Sequence, residues 1–162
     1  MDAKRRYWFP MVGYNYRMTN VAAAIGLAQL ENIEFQLRRR REVVSWYMEE
    51  LAHVPGISWQ SQQLSAKHAW WMFTAVLEDA LPVDRDQIMV ALREQGIETR
   101  PVVIPMHQLP PYAHLVTGAE LPVANRIARR GINLPTWAGV SREDVAFICE
   151  QFVLCLNTAL PV

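Results

Sequence analysis

Gly13 to Asn20 reads GYNYRMTN and places two tyrosines, two asparagines and one arginine in eight residues, just before an apolar helical pattern that starts at Val21. Arg17 offers a planar guanidinium fork matched to a phosphate or carboxylate. Asn15 adds a neutral amide donor, so the pair is suited to completing a phosphate site with little unpaired charge. The same residues also read as a helix start, with Thr19 placed to cap and Asn20 to add a local turn bond. On residue chemistry alone both readings stand.

Three more side chains could bind a ligand. His68 leads into the apolar run 69–77, His107 sits within RPVVIPMHQLPP, and Arg100 precedes Pro101, which favours extended backbone and a side chain able to reach an anion or a structural carboxylate. Neither histidine has a carboxylate or cysteine at catalytic or ligand spacing, so their own surroundings favour structural histidines bonded to the backbone. His53 and His114 read as surface residues. Four consecutive arginines, Arg38 to Arg41, cannot share one helix face, and Glu34, Glu42 and Glu49 are spaced to pair with some of them, so the run reads as a solvated face. The six tryptophans read as core or buried interface, and none is assigned to sugar binding.

The elements that must position these residues follow from hydrophobic period and punctuation. Residues 21–51 are predicted helical, as one long helix or two abutting ones, and Pro55 and Gly56 end the pattern. A short strand at 57–60 and a buried strand at 69–77 follow. Asp84 with Gln87 opens a helix that Gly96 closes. Residues 97–104 read as a strand interrupted at Pro101, 121–130 as a helix, 131–135 (GINLP) as a turn, and 141–157 as a helix opened by Ser141 and Asp144. The order predicts an α/β domain in which a small, largely antiparallel sheet is covered by helices on one face.

With 162 residues, 51% of them hydrophobic, the chain is long enough for one globular domain with a real core. Its 16 basic and 16 acidic residues balance, leaving no field to attract nucleic acid or an anionic membrane. No apolar run is long enough to span a bilayer, and the first residues lack the apolar core of a signal peptide. Cys149 and Cys155 stand on different faces of one predicted helix with no metal-ligand spacing, which fits a reducing, cytoplasmic setting.

The order of residues adds a further reading. GYNYRMTNVAAAIGLAQLE closely resembles the sequence that follows the cofactor-binding domain in the DegT/DnrJ/StrS family of pyridoxal-phosphate-dependent sugar aminotransferases. HAWWMF (68–73), GIETRPVVIPMHQLPP (96–111) and GINLP (131–135) continue the resemblance in the family's order. It is most similar to the perosamine synthase group, which moves an amino group from glutamate to the 4-keto carbon of a GDP-linked 6-deoxy sugar.

The resemblance implies the C-terminal small domain of a fold-type I aminotransferase, with residues 1–20 an active-site loop and N-terminal segment and 21–162 one α/β domain. It implies pyridoxal phosphate as cofactor, with Asn15 and Arg17 reaching a partner subunit's cofactor phosphate, and His68 and His107 on the substrate side; Arg100, from its own place before Pro101, is a further candidate for the substrate. The lysine that bonds the cofactor in the family has no match here. Lys4 lies in a charged segment and Lys67 beside His68, and neither context promises the desolvated pocket such a lysine needs. No residue is therefore expected to be catalytic and no metal is expected. The chain is expected to be inactive alone and to self-associate or join a lysine-bearing chain. The alternative is a non-catalytic module that binds or regulates a full-length homologue.

Overall fold

A computed structural model describes residues 14, 16–115 and 120–158. The chain falls into two compact units, 1–34 and 35–162. Within the first, the rings of Tyr14 and Tyr16 stack with centroids 6.0 Å apart. Helix α1 (Asn20–Glu31) begins where the Thr19 hydroxyl accepts the Ala22 N–H at 3.2 Å, so the capping role of Thr19 is realised. Asn32 closes α1, its side chain donating to the Ala28 carbonyl at 2.9 Å, and α2 (Ile33–Leu51) follows directly. The predicted 21–51 helix is thus two abutting helices. None of α1's residues is buried, although Val21, Ile25, Leu27 and Leu30 lie along it.

The second unit is built on four strands, β1 (Ile57–Trp59), β2 (Phe73–Leu77), β3 (Arg100–Pro101) and β4 (Gly131–Leu134). All neighbours pair antiparallel in the order β1-β2-β4-β3. Alternation along β2 sends Phe73, Ala75 and Leu77 to one face, and the register places Leu134 and Ile132 beside them. This face meets Val43, Val44 and Tyr47 of α2, Ile88 and Leu92 of α3 (Arg85–Glu94), and Val145, Ile148 and Phe152 of α5 (Arg142–Thr158) in one core. Tyr47 stacks on Phe73 at 4.9 Å and donates its hydroxyl to the Pro135 carbonyl at 2.9 Å. Burial holds that phenol well above its ordinary pKa, so it remains a donor.

The expectation of helices on one face holds for α2, α3 and α5. Helix α4 (Pro122–Arg130), which carries the chain from β3 to β4, departs from it: its Ile127 lies on the other face, with Thr74 and Val76. Two predicted strands are shorter than expected. Residues 69–72 leave the ladder because Trp70 takes a positive φ of 48°. The 97–104 strand shrinks to Arg100–Pro101, Pro101 having no N–H to give. The GINLP segment, expected as a turn, supplies β4, one of the two inner strands. Gly131 has extended backbone (φ −89°, ψ 137°) and is glycine for space: a Cβ would come 2.5 Å from Val102 Cγ2 and 2.7 Å from the Ile127 carbonyl oxygen.

Both predicted helix caps in this unit form. Asp84 accepts the N–H groups of Asp86 and Gln87 at 2.8 and 3.0 Å. Ser141 and Asp144 bond reciprocally, Ser141 N–H to the Asp144 carboxylate at 2.9 Å and Asp144 N–H to the Ser141 hydroxyl at 3.0 Å. The Ser141 backbone bond, then its hydroxyl, lowers the Asp144 pKa below its ordinary 3.8. A carboxylate depressed in the folded state contributes stability above its unfolded pKa and loses it as pH falls through the folded value. Melting temperature should therefore fall more steeply below about pH 4 in the wild type than in Asp144→Asn; parallel melting curves from pH 7 to 2.5 would remove this cap from the account of α5.

The arginine run is only partly a solvated face. Arg39 donates to the carbonyls of Ala138 and Val140, each at 3.2 Å, pairs with Glu42 and lies over the Trp46 ring. Arg40 donates to the Trp71 carbonyl at 3.2 Å. Two of the four thus fasten loops to α2.

Candidate functional site

On the face opposite the core, one polar residue from each strand level forms a row across the sheet. Register sets Thr74 beside Asn133 and Asn133 beside Arg100, while Gln60, one residue beyond β1, lies against Thr74. Gln60 accepts the Thr74 N–H at 2.9 Å and donates to Met72 O and Thr74 Oγ1 at 3.1 and 2.9 Å. Thr74 donates its hydroxyl to Asn133 Oδ1 at 2.6 Å, and Asn133 donates to the Pro101 carbonyl at 3.2 Å. This row is the floor of a groove of about 570 Å3 whose walls include Trp71, Met72, Val102 and Ile127.

His68 and Arg100, singled out separately in the sequence, line this same groove, together with Arg126. His68 is half-buried, and its Nδ1 accepts the Trp70 N–H at 2.9 Å. Arg100 is exposed, with Glu98 at 3.8 Å. His107 is not in the groove. It lies in the 3₁₀ turn Met106–Gln108, where its Nε2 meets Asn125 Oδ1 at 2.7 Å and Gln108 Nε2 reaches the same oxygen at 2.6 Å, pinning the turn to α4. Arg17 is exposed in the first unit, and Asn15 lies outside the described residues. His53 and His114 are exposed, as expected.

Sequence reasoning missed the polar row and the exposed tryptophans. Trp70 is buried, but Trp71 and Trp137 are 68% and 63% exposed, against the expectation of core or buried interface. The signal lay in HAWWMF: adjacent aromatics in an extended run cannot both face the core. Among the described residues no cluster of three or more metal-ligating side chains forms, and no helix is long and apolar enough to cross a membrane. Cys149 and Cys155 are both buried without a disulfide. Burial pushes the Cys149 thiol up to about 12 and raises Cys155 as well, so neither is set up as a nucleophile at neutral pH.

The antiparallel four-stranded sheet with three helices on one face and a donor-lined groove on the other matches part of the solved structures of fold-type I sugar aminotransferases. Comparison with known proteins identifies the group: the DegT/DnrJ/EryC1/StrS aminotransferase family matches residues 1–153, and the chain belongs to that family. It is 48% identical to a GDP-perosamine synthase of Caulobacter vibrioides across 90% of this chain and 39% of that protein. Against the GDP-perosamine synthase of Vibrio cholerae the identity is 40%, over 91% of this chain and 40% of that protein. The structure of DesV from S. venezuelae superposes with a TM-score of 0.80 at 25% identity, covering 99% of this chain and 42% of that one. The chain therefore spans about two fifths of the length of these relatives.

The family's pyridoxal phosphate can be tested against the residues in place. Its carbonyl carbon needs a buried amine, and the lysine among the described residues, Lys67, is exposed in the loop before His68. Among the described residues of the first unit its phosphate would find one guanidinium, that of Arg17. The described residues do not by themselves form a site for this cofactor.

Proposed function

We propose that this chain is the C-terminal part of a pyridoxal-phosphate-dependent nucleotide-sugar aminotransferase of the perosamine synthase type. In the complete enzyme an amino group passes from glutamate to a 4-keto-6-deoxy sugar nucleotide. The 48% identity to a GDP-perosamine synthase across nine tenths of the chain carries this reading. Its own contribution is binding and orientation: Asn15 and Arg17 toward the cofactor phosphate, and His68, Arg100 and His107 toward the substrate. The lysine belongs to another part of the complete enzyme, and the chain alone is inactive. Helix α1, apolar and without a buried residue, favours self-association or docking on a lysine-bearing chain, since an all-round apolar helix is stable only when covered. The same uncovered helix supports a second reading, a non-catalytic module that binds a full-length homologue.

Borohydride reduction in the presence of pyridoxal phosphate, followed by intact mass measurement, tests the assignment. The expected result is no stoichiometric adduct on this chain alone. After mixing with the lysine-bearing portion of a perosamine synthase, one adduct on that portion and amino transfer to the 4-keto sugar nucleotide are expected. A single adduct at Lys4 or Lys67 would overturn the inactive-alone assignment. Tight association with a full-length homologue, with no activity restored in the mixture, would favour the second reading.

A further inference from the structure

Residues 69–72 break the alternation of the strand they lead into. A strand continuing β2 backward from Phe73 would set Trp71 on the core face with Phe73, and Trp70 on the other face with Thr74. The reverse is observed: Trp70 is buried and Trp71 is exposed. The exchange is made at Trp70, the one non-glycine with positive φ among the described residues, at 48°, where a bulky residue is strained. Such a residue persists only where its surroundings hold it.

His68 supplies the hold. Its Nδ1 accepts the Trp70 N–H at 2.9 Å, its ring lies 4.0 Å from the Trp70 indole, and its own N–H is donated to Gln62 Oε1 at 3.2 Å. A side-chain acceptor reaching the N–H two residues on is the arrangement that asparagine and aspartate make in an Asx turn. Histidine makes it with an atom that can take a proton. The backbone N–H always carries its hydrogen, so Nδ1 must keep its lone pair and the neutral ring is protonated on Nε2. The imidazolium has two N–H groups and no acceptor.

The charged groups around His68 are Lys67 before it in the chain, Arg40 at the Trp71 carbonyl, and Arg100 and Arg126 lining the same groove, with Glu98 and Glu78 beside those two arginines at 3.8 and 3.9 Å. Among the described residues no ion pair includes the His68 ring. A proton added to Nδ1 therefore meets no carboxylate in place, and the half-buried ring gains by turning out to water. That movement is the one that lets go of Trp70.

We propose that the 68–71 turn is a pH-sensitive switch that selects which of two adjacent indoles is packed. Neutral His68 holds Trp70 in and Trp71 out. Its protonation removes the acceptor, leaves the Trp70 N–H unpaired, and shifts the segment toward the continued strand, with Trp71 inward. Because the bond needs the neutral ring, it is present at higher pH and lost as pH falls. The switch is made within residues 60–73 and does not depend on what the groove binds.

The full 162-residue chain is prepared with 5-fluorotryptophan, and the fluorine resonances of Trp70 and Trp71, located with Trp70→Phe and Trp71→Phe, are followed from pH 8 to pH 5, the range in which histidine titrates. A soluble paramagnetic agent reads their exposure. At pH 8 it should broaden Trp71 and spare Trp70, and at pH 5 the ratio of the two effects should fall about fivefold, as loss of one hydrogen bond predicts. His68→Asn keeps an acceptor at the same reach and has no proton to gain, so its pH 8 pattern should persist to pH 5. Long-range nitrogen–proton correlation of the wild-type ring at pH 8 should show Nε2–H, a measurement that needs no variant and decides the bond even if His68→Asn fails to fold. A proton on Nδ1 at pH 8 would overturn the switch. So would wild-type resonances unchanged at pH 5, the imidazolium then staying stacked on the indole, or a change of equal size in His68→Asn, which would move the effect to His53, His107 or His114.

Discussion

Arg130→Met should lower the melting temperature by on the order of 10 °C, far more than loss of any exposed arginine in the chain. Arg130 is the last residue of α4 and its side chain is only 11% exposed. It donates to four backbone carbonyls of the β2–α3 connection: Leu77 at 3.2 Å, Glu78 at 2.5 Å, Leu81 at 2.8 Å and Val83 at 2.7 Å. A charged donor to a carbonyl contributes roughly 1.5–3 kcal/mol, and methionine fills the space while leaving those oxygens without their partner. The bonds share one guanidinium and are not additive, so a loss of about 3–5 kcal/mol is expected, and a chain of this size loses about 2–4 °C per kcal/mol. Arg130→Lys recovers only part, because an ammonium cannot span four acceptors as a planar fork does. If Arg130→Met melts within 2 °C or so of wild type, the connection is held by packing and not by this residue.

Arg130 also shows where the sequence stops being legible. Arg129 and Arg130 read identically in a helix pattern, yet one is exposed and the other threads a loop 47 or more residues upstream. The same holds for Arg39 within its run of four. Which arginine of a cluster is spent on carbonyls depends on tertiary placement, and residue type does not encode it. Local chemistry was readable where the bond partners are near in sequence: Thr19 with Ala22, Asp84 with Gln87, and Ser141 with Asp144 all bond as their spacing predicts. The strands were less so. Gly131 resembles turn punctuation because a glycine that makes room for Val102 and the Ile127 carbonyl looks no different from one that takes a positive φ. For the site, the resemblance brought out His68 and the following proline brought out Arg100, and only the folded sheet showed that they share a groove. The row of Gln60, Thr74 and Asn133 comes from three distant segments and carries no motif.

Neighbouring residues of β2 should fail in different ways, because the strand sends them to opposite faces. Phe73 is fully buried, stacked on Tyr47 with ring planes 8° apart and with Trp59 at 6.1 Å. Phe73→Ala opens a cavity at the centre of the core and should cost about 3–5 kcal/mol, on the order of 10 °C in melting temperature. Whatever fraction remains folded should still complete the two-chain mixture as wild type does, since the phenyl ring faces away from the groove. Thr74→Val keeps the shape and removes the hydroxyl that links Gln60 to Asn133. Its cost to folding should be smaller, about 1–2 kcal/mol, because Gln60 retains Met72 O and the Thr74 backbone, and Asn133 retains Pro101 O. Its larger effect should be on the groove, where Asn133 loses the contact that fixes its amide next to Arg100, and the KM for the nucleotide sugar in the two-chain mixture should rise several-fold. Thermal melts, and amino-transfer assays of the two-chain mixture below the transitions of both variants, separate the two duties. If Phe73→Ala raises that KM as much as Thr74→Val does at matched folded fraction, the faces are coupled through the strand, and the division between a core side and a ligand side is wrong.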